Sequence, residues 1–103
     1  MKNSPIDLTP EHMDIVVRIL RRFIPDQTVA VFGSRVHGKA KTTSDIDLVI
    51  MNESSLTTHT FAELQNAFSA SLLPMKVDIV EWATTNENFR KIIEEKNVRI
   101  QGH

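Results

Sequence analysis

A chain of 103 residues, 41% hydrophobic and 24% charged, has the make-up of an ordinary globule and the length for one domain, residues 1–103, around one modest core. Its net charge of −1 argues against a general nucleic-acid-binding surface, which relies on an excess of Lys and Arg. No apolar run approaches the roughly 18 residues of a membrane span, and Met1-Lys2-Asn3-Ser4-Pro5 lacks the apolar stretch of a signal peptide. The absence of cysteine excludes disulfides and thiolate metal sites, as suits a reducing cytoplasm.

Thr9-Pro10 opens the first predicted helix, with Thr as cap and Pro at the first helical position. Met13, Val16, Val17, Leu20 and Ile24 recur at helical spacing, while Arg18, Arg21 and Arg22 fall mostly on the solvated side. Pro25-Asp26 ends the helix. Thr28–Phe32 reads as a strand that breaks at Gly33-Ser34, and a short helix or turn ends near Gly38. The gap to the second strand, Asp45–Met51, is too long for a tight hairpin and too short for a full crossover helix. The start of strand two therefore lies beside the end of strand one.

After a polar break, Phe61, Leu64, Phe68, Leu72 and Leu73 form the next helical stripe, stopped by Pro74. Lys76–Glu81 is a third strand with Val77 and Ile79 on its core side and Asp78 opposite. Glu81 belongs at the strand end, and Trp82 closes the core edge. Asn86–Glu95 is a last helix carrying Phe89, Ile92 and Ile93, and Val98 and Ile100 form a short terminal stretch. This order predicts an α/β (α+β) fold, a small mixed sheet covered by helices on one face.

The chemistry concentrates around Gly33-Ser34, followed after ten residues by Asp45-Ile46-Asp47. In a strand, side chains at i and i+2 share a side, so Asp45 and Asp47 project together while Ile46, Leu48 and Ile50 turn into the core. Paired carboxylates repel each other, and a hard divalent cation such as Mg²⁺, which keeps waters and shares substrate phosphates, relieves them. The turn at Gly33-Ser34 offers main-chain N–H groups to an anion, and a Cβ at Gly33 would obstruct the approach of a phosphate. No acidic residue lies between Asp26 and Asp45, where Arg35, Lys39 and Lys41 sit. Arg35, directly after the turn, is the expected phosphate contact. Ser44 has a structural role available at the entry to strand two. Each feature alone has an ordinary explanation as turn, cap or surface charge; all of them in order point to nucleotidyl transfer. His12, His37, His59 and His103 have no zinc-type spacing.

The pattern resembles the DNA polymerase β-like nucleotidyltransferase superfamily, and within it the minimal nucleotidyltransferases (MNT proteins). Gly33, Ser34, Arg35, Gly38, Ser44, Asp45, Asp47 and Leu48 fall on the motif of that group. Many of its members carry a second Arg where this chain has His37. The resemblance implies a third carboxylate, supplied by Asp78, with Asp45, Asp47 and Asp78 as catalytic and metal-holding residues. It implies Gly33, Ser34, Arg35 and Ser44 as nucleotide-binding residues, two Mg²⁺ ions, and ATP as substrate. MNT proteins are commonly paired with a HEPN-type helical protein encoded nearby, an RNase toxin. The resemblance thus implies an antitoxin that transfers AMP to a toxin tyrosine, or neutralises the toxin by binding.

Two other classes compete with that reading. A non-catalytic partner-binding module of the same fold need not keep three mutually repelling acids. A small-molecule transferase of the aminoglycoside type adds a domain to hold its acceptor, for which 103 residues leave no room.

Overall fold

The computed structural model describes residues 5–102. The first four residues, on which the signal-peptide reading partly rests, and His103 lie outside them. The elements run α1 (Pro10–Phe23), β1 (Val29–Phe32), α2 (Ser34–His37), β2 (Ile46–Ile50), α3 (Thr58–Ser69), β3 (Val77–Glu81), a 3₁₀ turn (Trp82–Thr84), α4 (Glu87–Glu95) and β4 (Val98–Gln101). Caps set the helix starts, at Thr9 as its sequence predicts and at Thr57 and Asn86 as well. Thr9, Thr57 and Asn86 each accept the third following N–H, from His12, Thr60 and Phe89, satisfying donors that a helix start leaves orphaned.

The sheet order is β3-β2-β1-β4. β1 runs antiparallel to β2 and β4, and β2 runs parallel to β3. The terminal stretch is therefore a strand, which its four residues of alternating pattern did not declare. Gln101 secures it by donating from Nε2 to the carbonyls of Ile24 at 2.9 Å and Gln27 at 3.0 Å.

Alternation along β2 divides its side chains between two cores. Ile46, Leu48 and Ile50 are fully buried against Val16 and Leu20 of α1 and Leu64 and Phe68 of α3. Val49, on the other side, packs with Ala30, Phe32 and Ile93 of α4, and Phe89 meets Phe32 edge-on at 5.8 Å. The one-face expectation thus holds for α1 and α3, while α4 covers part of the opposite face. The reason is the apolar Val49-Ala30-Phe32 patch on that side, which needs a cover. A second difference concerns Leu72. It is 89% exposed, because α3 ends at Ser69 and the stripe does not continue to it.

Candidate active site

The polar end of the second face holds the predicted site. Antiparallel pairing sets Asp47 opposite Phe32, the last residue of β1, and parallel pairing sets it opposite Asp78. Asp45 stands just ahead of β2. The three carboxylates interact. Burial, then Asp78, then Asp45 push the Asp47 carboxyl up to about 6, with Arg35 pulling it down. The two-residue spacing and the register together bring the acids to one place, as the alternation of a strand requires.

Gly33 adopts φ +80°, a conformation that side-chain-bearing residues rarely take. The space for a Cβ there is already filled: it would collide with the Asp47 carboxylate, with the Asp47 Cγ at 3.1 Å. Beside the expected room for a phosphate, a neighbouring strand's acid also forbids a side chain here. Ser34 begins α2 and is half-buried. Gly38 closes α2 in the left-handed region at φ +72°, and His37 is exposed.

Arg35 departs from expectation more sharply. It is 5% exposed, and its guanidinium is engaged by main-chain carbonyls. Nη1 donates to Asp7 at 2.7 Å, Nη2 to Ser44 at 2.7 Å and Lys41 at 3.2 Å, and Nε to Ser44 at 3.2 Å. A planar fork with five donors suits such convergence. Arg35 is therefore no phosphate hand. It pins the loop that leads into Asp45 while its charge still acts on Asp47. Ser44 takes its structural role, its Oγ accepting the Lys41 N–H at 2.8 Å.

Sequence reasoning also left Glu81 without a partner. Its carboxylate accepts from Asn52 Nδ2 at 2.9 Å and from the Leu56 N–H at 2.7 Å, and Asn52 Oδ1 accepts from the Ala83 N–H at 3.0 Å. Asn52 is buried; the polar break after β2 is thus the knot that ties β2 to β3, and no spacing rule marks it. Arg90 stacks over Trp82 at 4.8 Å. Asp45 opens onto a cleft of about 590 Å³ bordered by Asp7, Thr9, His12, Lys41 and Lys76.

A mixed sheet, an Asp-x-Asp strand and a facing Gly-Ser turn define a nucleotidyltransferase. The chain belongs to the family described as Polymerase beta, Nucleotidyltransferase, which residues 16–102 match. It is 49% identical over 98 residues to the probable protein adenylyltransferase MntA of Haemophilus influenzae, covering 95% of this chain and 86% of that protein. Two solved structures share the fold. One is a toxin–antitoxin with AMP-PNP, at TM-score 0.73 and 24% identity, covering 88% of this chain and 73% of that one. The other is a tri-AMPylated HEPN toxin of Shewanella oneidensis in complex with MNT antitoxin, at TM-score 0.67 and 22% identity, covering 90% and 71%. Among the described residues no helix is long and apolar enough to cross a membrane.

Proposed function

We propose that this chain, folded as one nucleotidyltransferase domain, transfers AMP from ATP to a hydroxyl of a partner protein and thereby acts as an antitoxin in the cytoplasm. The observation that carries this reading is the meeting of Asp45, Asp47 and Asp78 beside Gly33-Ser34, with the Asp47 carboxyl pushed up to about 6. Such crowding disfavours a purely structural role, since each added acid costs stability unless something positive joins it. The relative named a protein adenylyltransferase supports the same chemistry, and the AMPylated HEPN toxin in complex with an MNT antitoxin supports a HEPN-type partner as acceptor; the tyrosine and a gene encoded nearby are what the family resemblance implies.

The donor set fits Mg²⁺. All three groups are hard oxygens, although among the described residues no three His, Cys, Asp or Glu side chains stand close enough to hold an ion by themselves. An ion that retains waters and shares phosphate oxygens needs no such cage. Asp45 and Asp47 would hold both ions, and Asp78 would share one. When bound, the pair neutralises charge on the attacking and leaving oxygens of an in-line displacement.

The protein's own groups do the rest. Gly33 keeps the turn tight against Asp47, and Ser34 with the neighbouring main-chain N–H groups holds the β- and γ-phosphates. The acceptor hydroxyl oxygen bonds to the α-phosphorus, the bond from that phosphorus to the bridging oxygen of the β-phosphate breaks, and pyrophosphate leaves. Asp78 receives the hydroxyl proton.

The test is co-expression with the HEPN protein encoded alongside, followed by intact-mass spectrometry of that partner. One or more AMP units should appear and vanish with Asp45→Asn/Asp47→Asn. Neutralisation that persists in the double variant without any adduct would leave a binding antitoxin and remove the transferase.

A further inference from the structure

β3 is an edge strand, and its free side is not smooth. Ile46 donates its N–H to the Lys76 carbonyl at 2.9 Å. In a parallel ladder in this register, the main-chain groups of Asp78 and Val80 therefore face β2, and those of Val77 and Ile79 face outward. Two clefts border that outward side, one at each end of the strand. At the start, a space of about 540 Å³ lies among Gln65, Phe68, Ser69, Pro74 and Val77. At the end, about 320 Å³ lies among Phe61, Ile79, Glu81, Thr85 and Phe89. Phe61, Gln65 and Phe68 recur on one side of α3, so the same helix face and the same strand edge border both clefts, in line along a groove between them.

Resting on the transferase reading above, we infer that this groove seats the acceptor: an extended segment of the partner protein that adds to the sheet as a strand beside β3. An exposed strand edge offers main-chain donors and acceptors, and its natural complement is another extended backbone. The strand that borders both clefts also carries Asp78, which faces Asp47 on the other side of the sheet. A residue paired with Asp78 on the added strand has its Cβ about 5 Å from that of Asp78, on the same face. A tyrosine hydroxyl at that position enters the site. Its neighbours in sequence turn the other way, onto the apolar floor made by Phe61 and Phe68. Lys76, exposed at the entrance, suits an acidic residue there.

The experiment uses the parent chain and the HEPN protein encoded alongside it. Hydrogen exchange followed residue by residue should show the Val77 and Ile79 amides exchanging freely in the isolated chain and protected in the complex. Val77→Pro removes one outward N–H and no bond to β2. It should raise the partner concentration for half-maximal transfer by about tenfold while binding of an ATP analogue is unchanged. Gln65→Trp, which fills the groove from exposed α3, should do the same, guarding against a misfolded proline variant. If the complex forms and both amides exchange as before, or if Val77→Pro and Gln65→Trp transfer like the parent, the groove does not hold the acceptor. Failure to form any complex overturns it as well. Loss of transfer by the parent chain alongside protected amides would instead sink the transferase reading and leave the docking groove standing.

Discussion

The Asp47 carboxylate occupies the space that a side chain on Gly33 would need. Two residues fourteen positions apart are thus one steric unit, with a left-handed backbone at φ +80° on one side and an acid on the other. Gly33→Ala meets both obstacles, backbone strain and a collision, and we expect it to cost roughly 2 kcal/mol or more of stability. Transfer should fall by about a hundredfold or more, because misplacing a ligand by 1 Å is enough. Thermal unfolding and an AMP-transfer assay on the same preparation check it. A soluble variant with parental activity would show that the pair is not coupled.

Asp47 should make the metal-free protein depend on pH. Its carboxyl is raised from the ordinary 3.8 to about 6, so the folded state binds the proton more tightly than the unfolded one. Its contribution to stability is full below about pH 4 and is lost as pH rises through 6. Asp47→Asn should therefore stabilise the metal-free protein at pH 7–8, by about 1 kcal/mol after allowing for solvent screening of a half-buried carboxylate. The gain should vanish near pH 4. Urea unfolding in chelator at both pH values decides it, and a gain that grew on acidification would refute the assignment.

The same proton competes with Mg²⁺. Between pH 7 and 5 the apparent Mg²⁺ affinity should weaken, steepening toward tenfold per pH unit once Asp47 is largely protonated. Calorimetric titration with Mg²⁺ and a non-hydrolysable ATP analogue measures it, and a flat profile would separate Asp47 from the metal.

Arg35 should matter to the fold before it matters to chemistry. Arg35→Ala takes their side-chain donor from the carbonyls of Asp7 and Ser44, while Lys41 keeps the Ser44 N–H, for an expected loss of about 2–4 kcal/mol. Arg35→Lys should recover little of it, since one ammonium cannot span that fan of acceptors. Ser34→Ala should by contrast weaken ATP turnover with a shift in stability under about 1 kcal/mol. Denaturant midpoints compared with nucleotide binding distinguish the two roles.

Glu81→Ala removes the acceptor of both Asn52 Nδ2 and the Leu56 N–H and should cost about 1–3 kcal/mol. The loss should be coupled to that of Asn52→Ala, so that the double variant is milder than the sum. Additive losses in a double-mutant cycle would mean the two residues act separately.

Local signals carried much of this molecule. Periodicity marked α1, α3 and three strands, Thr9-Pro10 marked the start of α1, and i, i+2 spacing put Asp45 and Asp47 together, because each of these effects acts within a few residues. The family was legible for the same reason, its motif lying within Gly33–Leu48. Only the tertiary structure decided the rest. It set Asp78 opposite Asp47 through the β2–β3 register, made a fourth strand of Val98–Gln101 by pairing it with β1, and sent α4 to the second face. It also turned Arg35 from phosphate toward the carbonyls of Asp7, Lys41 and Ser44, and placed the Asp47 carboxylate against Gly33. These outcomes depend on which surfaces the folded chain brings together across many residues, and no short-range rule of spacing or propensity contains that information.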